Sequence, residues 1–312
     1  VTIDNCIVSG TIGSAGTTDA VGLRIEYGWD IIVSDSMFAR NVASNSADDS
    51  FGVYINASTN IIFNSCDASG NDGQNAYGFS LQGATRGCVF SNCTANGNYG
   101  RLSATGVGYG FHLSTAHANI FENCSATSNF GAIEGSGFRL ASSEYNYFKN
   151  CTALNNTGCS SGSTEAHGGR GFASVSGIGN TFEKCSSIGN QSVSSDTDTS
   201  GVGFYFDAEL GSTVKSSEAR NNGTTSTAAK GVGIHLDNTT SVCIGCVIDS
   251  CSILNNKSST ASMGVGILDD NTSSCTTLVM NCFAFGNRGS TTDLNYSITY
   301  PSTGEAINTN AA

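Results

Sequence analysis

"NIFENCSATSN", Asn119 to Asn129, is the stretch on which the reading of this 312-residue chain turns. Taken alone it offers an N-glycosylation sequon, a thiol and a possible metal ligand. Its relatives change that: "NIIFNSCDASGN" ends at Asn71, "VFSNCTANGN" at Asn98, "NYFKNCTALNN" at Asn156 and "NTFEKCSSIGN" at Asn190. A motif that returns at a nearly fixed period signals a repeat architecture before it signals chemistry.

With the cysteine as anchor, the matching positions are Cys6, Ser36, Cys66, Cys93, Cys124, Cys151, Cys185, Ser217, Cys251 and Cys282, spaced 27 to 34 residues apart. Three residues earlier stands an apolar column that includes Phe63, Phe90, Phe121, Phe148 and Phe182. Two after the anchor the column is mostly alanine. Five after it lie Asn41, Asn71, Asn98, Asn129, Asn156, Asn190, Asn222, Asn256 and Asn287. Upstream, each unit opens with glycine and an alternating run: "GVYI", "GFSL", "GFHL", "GFRL", "GFYF", "GIHL". Period-two alternation turns one face inward. Each unit therefore holds about three short strands, and its variable length falls after the asparagine, which places insertions on one side of a stack.

Composition agrees. Charged residues are 12%, with 39 glycines and a single proline, which suits strands and turns and disfavours a helical bundle. A net charge of −12 leaves no basic stripe for nucleic acid and none for an anionic membrane. No apolar run reaches the roughly 20 residues of a spanning helix, so membrane insertion as a helix is not expected.

This arrangement resembles the right-handed parallel β-helix, the solenoid fold of pectate lyases, polygalacturonases and tailspikes. The resemblance runs from Val1 to about Asn295 and implies an all-β fold of about ten coils, with a single domain over 1–312. Residues 1–20 would form a partial first coil, 21–295 nine full coils, and 296–312 a partial coil or tail. The columns become an inward core of Phe, Cys and Ala, with the asparagines as a turn ladder.

Chemistry has to be sought off the ladder. The thiols of Cys66, Cys93, Cys124, Cys151 and Cys185 read as buried small hydrophobes, one per coil, rather than converging metal ligands. Cys243 and Cys246 form a lone C-x-x-C without a second pair, and 13 cysteines leave at least one unpaired. Eleven N-x-S/T triplets occur, several of them by-products of the repeat, and make glycans a possible partner.

The outward residues of the opening strand are Arg24, Tyr54, Ser80, His112, Arg139, Ala173, Tyr205 and His235, and the resemblance implies that enzymes of the fold place catalytic groups on this face. Toward the C-terminus it gathers Tyr205, Asp207, His235, Asp237, Asp269 and Asp270. Asp207, Asp237 and Asp270 would stack on successive coils, where like-charge repulsion lifts one carboxyl and creates an acid and base pair. The polygalacturonase-like signatures N-T-D, G-H-G and R-I-K are absent, so a structural face is the favoured reading. No cofactor is expected apart from calcium at "DTDTSG", where Asp196, Asp198 and Ser200 alternate as oxygen ligands; a solvated acidic loop is the stronger reading. Tyr27, Trp29 and Tyr145 stand at turns and suit sugar stacking, against a competing role as lids over the core edge.

The expected function is a non-enzymatic structural or cell-surface solenoid, such as a filament subunit, adhesin or stalk. The alternative is a carbohydrate-active enzyme, a polysaccharide hydrolase or lyase, or a sugar-binding module. The first and last partial units are roughly complementary, which points to end-to-end self-association or to neighbouring coils of a longer chain. An acidic, lysine-poor, sequon-rich chain of this fold is expected outside the cell or at its surface.

Overall fold

The computed structural model describes residues 1–13, 19–44, 47–101, 105–158, 168–193, 200–224, 230–237, 243–258, 264–270, 277–289, 293–298 and 308–309. Among them there is no helix, and every strand pairing is parallel to the equivalent strand one turn away. About eight turns are complete. That is slightly fewer than the expected ten, and Cys6 sits on a partial first turn.

Most turns carry four strands rather than three; at Asp67 and Thr94 the third is a single bridge. A long opening strand, such as Ala76–Gln82, belongs to a ten-stranded sheet that runs from Ala20–Glu26 to Asp293–Ile298. The second strand carries the phenylalanine column, as in Val89–Ser91. A third, such as Ser125–Thr127, carries the alanine column, and Leu278–Phe285 bends from the second sheet into the third. The addition is a two-residue strand directly after the ladder asparagine, such as Tyr99–Gly100, in a nine-stranded sheet of its own.

The core is a double file of rings. Phe63, Phe90, Phe121, Phe148 and Phe182 stack with centroids 4.7 to 5.0 Å apart and planes within 9° of parallel. Phe79, Phe111, Phe138, Phe172 and Phe204 form a second file at 4.7 to 5.0 Å from the opening strands. Rings of the two files meet edge to face, for example Phe111 and Phe121 at 81°. Offset stacking and edge-to-face contact are the two arrangements that aromatic quadrupoles favour. Across the coil the opening strand approaches the alanine column so closely that a Cβ on Gly110 would stand 2.6 Å from Ala126 Cβ. Glycine is required there by contact rather than by backbone conformation.

The asparagine ladder is continuous. From Asn41 to Asn287 each Nδ2 donates to the Oδ1 of the next rung at 2.7 to 3.0 Å, and all nine asparagines are buried. The residue before each one takes a left-handed backbone, as at Gly97, Ser128 and Asn155. The ladder thus satisfies the backbone groups that the corner leaves without strand partners.

Candidate functional site

The outer face of the opening sheet is not the solvent face that alternation suggests. Its strands run two or three residues upstream of the glycine, and the pairing register skips that glycine, so the parity of the chain flips there. Two adjacent outward rows result, and they cover each other. Phe51, Tyr77 and Tyr109 form one outer cluster, and Val202, Val232 and Val265 with Ala173, Tyr205 and Leu268 form another. Ser80, Ala173, Tyr205 and His235 are buried in consequence.

Polar groups on this face are bonded to one another along the rod. Arg139 Nε lies 3.3 Å and Arg170 Nη1 3.6 Å from the carboxylate of buried Glu134. The Arg170 guanidinium stacks 3.5 Å above the Tyr205 ring centre, a cation–π contact. Tyr205 donates to Asp237 at 2.8 Å, and the His235 ring meets Tyr205 edge to face. His235 Nε2 stands 3.1 Å from Asp270, which Lys230 also approaches at 3.6 Å. At the other end His112 stacks on Tyr77 and reaches Ser80 at 3.3 Å. Burial, aided by the Arg139 charge, drops the His112 pKa to about 3, so its ring is neutral.

Asp207 and Asp237 are register partners, and Asp270 follows one rung on. The expected lifted carboxyl does not appear at Asp270. Burial alone would push it up, but the His235 hydrogen bond and the Lys230 charge outweigh burial and hold it below its ordinary value. Asp269 faces inward, in register with Leu236 and buried, so it does not join the outer cluster. His235 Nδ1 is buried and has no hydrogen-bond partner among the described residues.

The aromatic candidates lie elsewhere, on the corner between the opening and second sheets. Tyr27, Trp29 and Tyr145 are exposed at 71%, 73% and 62%. Asp196 and Asp198 lie outside the described residues, and Ser200 begins the strand Ser200–Asp207. Cys159 and Cys275 also lie outside them, while none of the other eleven cysteines forms a disulfide among the described residues.

The anchor thiols do more than fill space. Cys93 Sγ donates to its own strand at Ser91 O (3.4 Å) and toward Phe63 O of the preceding turn (3.6 Å), and Cys124 and Cys151 repeat the pattern. Where the anchor is serine, Ser217 Oγ donates to Lys215 O and accepts from Cys185 N. This polar role at the turn explains why serine alone replaces cysteine. Burial pushes the off-column Cys88 thiol up to about 11, which keeps it protonated and unreactive at neutral pH.

Two features escaped the sequence reading. A second ladder joins Asn119, Asn146 and Asn180 at 3.0 and 3.1 Å, and Cys88 N donates to its first rung. Its signal was the first letter of the opening stretch, whose partners in "NYFKNC" and "NTFEKC" carry the same residue. The other is Glu209, a fully buried carboxyl that accepts from Ser174, Gly177 N and Ser212. Burial raises its pKa against the pull of those donors. The sequons also sort themselves: Asn190, Asn222 and Asn256 are buried ladder rungs, whereas Asn92, Asn123 and Asn150 are exposed at left-handed turns.

A family model described as "Right handed beta helix region" matches residues 1–134. No curated protein matches the chain. Among solved structures, pectate lyase Pel9A superposes with a TM-score of 0.55 at 16% identity, over 96% of this chain and 69% of that one. A mutant of the periplasmic alginate epimerase AlgG gives 0.53 at 9% identity, over 97% and 76%. The Dettilon tailspike protein gives 0.40 at 12% identity, over 85% and 61%. The fold is the right-handed parallel β-helix. Identities this low speak to the architecture of the β-helix and leave its activity to be argued from its own residues.

Proposed function

We propose that this β-helix is a structural, non-catalytic solenoid of the cell surface or extracellular space, serving as a filament subunit, adhesin or stalk. The observation that carries the reading is the state of the opening-sheet face. Arg170, Tyr205 and His235 are buried, and they engage one another and the half-buried Asp237 and Asp270, which braces adjacent coils. No cofactor is invoked; calcium at Asp196, Asp198 and Ser200 stays a lesser proposal. The N-terminal turn adds a partner. Ile3 and Val8 extend the Phe63 and Ala68 columns, and Ile7 and Ile12 beside them are 74% and 72% exposed, a surface suited to another coil from a second copy or from a longer chain.

A polysaccharide hydrolase or lyase is the second reading, favoured by His235 Nδ1, which has no partner among the described residues and stands next to the Tyr205–Asp237 pair. Purified protein incubated with pectate and with alginate is expected to release no new chain ends, and its sedimentation coefficient is expected to rise with concentration. Turnover that disappears in Asp237→Asn, with the circular dichroism unchanged, would overturn the structural reading; a monodisperse monomer at high concentration would remove self-association from it.

A further inference from the structure

We infer that the corner between the opening and second sheets is a binding track for a neutral polysaccharide lying along the rod, with Tyr27, Trp29 and Tyr145 as its stacking platforms. The first observation is conformational. Tyr27 and Tyr145 hold φ of 53° and 54°, a left-handed backbone that is costly for bulky side chains. Equivalent turns at other rungs use small residues in the same conformation, such as Ala57, Ser142 and Gly179. An aromatic side chain normally offsets such strain by burial, yet both rings are exposed. Folding does not account for them, and strain of this kind is retained where a ligand uses it.

The second observation is the seat of one ring. A Cβ added to Gly179 would stand 2.8 and 2.9 Å from Cδ1 and Cε1 of Tyr145, so the ring of Tyr145 rests on the glycine of the next turn. At 62% exposure it keeps much of its surface toward water. That is the geometry of a stacking shelf rather than of a lid, since beneath it lies backbone and not the core.

The third is the row between the platforms. Trp29, Thr59, Arg86, His117 and Glu144 pair rung to rung, which sets Trp29 and Glu144 four rungs, or about 19 Å, apart. The row offers hydrogen-bonding side chains of both signs, and Asn60 donates to Asp30 at 3.3 Å at its start. A groove of about 340 Å³ beside it is lined by Ile32, Ile62 and Val89 as well as Asp30 and Asn60. Aromatic faces with polar groups at their edges fit the mixed apolar and hydroxylated faces of a sugar. Mixed charge along the row, on a protein of net charge −12, disfavours an anionic polymer and selects a neutral one. The site is separate from the opening-sheet face and holds whether or not that face is catalytic.

Trp29 is the only tryptophan, so its fluorescence reports binding directly. Titration with galactomannan, xylan and mixed-linkage β-glucan is expected to give a saturable shift with at least one of them and none with pectate. Tyr145→Gly is expected to weaken that binding about tenfold while leaving Tm unchanged or higher, because it relieves the left-handed strain. Trp29→Ala should abolish retardation in a gel containing the same polysaccharide. Binding to none of the three, tighter binding to pectate, or a fall in Tm for Tyr145→Gly that marks the ring as a structural lid would each overturn the proposal.

Discussion

The two buried asparagine ladders are built from the same bond and have different lengths. One runs through nine asparagines from Asn41 to Asn287; the other holds only Asn119, Asn146 and Asn180. The long one stands at a corner where the same two residues, a left-handed one and then asparagine, recur on every rung that carries it. At the short ladder's corner the inward position is Ile31 and Ile61 on early turns, then Cys88, then asparagine, then Ser212 and Cys246. Its last amide gives way smoothly, since Asn180 N donates to Ser212 Oγ at 3.2 Å. A ladder rung is therefore a local agreement between neighbours: each residue need only answer the one above and the one below.

That comparison can be broken from its strongest point. Asn129→Ala removes four bonds, two accepted from Asn98 and two donated to Ala95 O and Asn156, and leaves their partners buried. We expect a loss of about 3–5 kcal/mol in urea unfolding. Asn180→Ser should cost less, about 1–2 kcal/mol, because a serine at 180 can accept from Asn146 N as Ser212 on the next rung already accepts from Asn180 N. Equal losses in the two variants would show that a rung's value does not depend on its neighbours. The smallest effect is expected for Cys124→Ser, about 1 kcal/mol or less, since Ser36 and Ser217 already serve as anchors and a hydroxyl makes the same bonds as the thiol. A midpoint shift as large as that of Asn129→Ala would return the cysteine to the role of pure apolar filler.

The fold was legible because its strongest constraints recur. Phe121, Cys124, Ala126 and Asn129 each have a counterpart one period away, and stacking makes identical positions meet. The short two-residue strand was hidden because Tyr99–Gly100 and its equivalents are too brief to show alternation. The outer face was misread for a related reason: alternation counted from the glycine finds one outward row, and the flip of the chain at that glycine supplies the second row that buries it. Asp269 was drawn in by its adjacency to Asp270, although the same alternation puts it inward beside Leu236. The strain at Tyr27 and Tyr145 has no sequence signature, since an aromatic in a turn looks alike in either hand of the backbone.

The direction of the ladders has a consequence of its own. In both buried ladders each asparagine-to-asparagine bond runs from Nδ2 to the Oδ1 of the C-terminal neighbour, and the donor's backbone N–H goes to the same Oδ1, which fixes the orientation of the amide; Asn180, the last rung of the short ladder, donates back instead, to Ser143 O. The exposed asparagines at Asn92, Asn123 and Asn150 point the other way, but through bonds of 3.3 to 3.5 Å in water. The interior of the rod therefore carries a line of aligned amide dipoles, with oxygen toward the N-terminal side and N–H toward the C-terminal side. Such a rod has an electrical polarity. Two copies that extend each other's ladder can do so only head to tail, so a contact of this kind has no two-fold axis and propagates instead of closing.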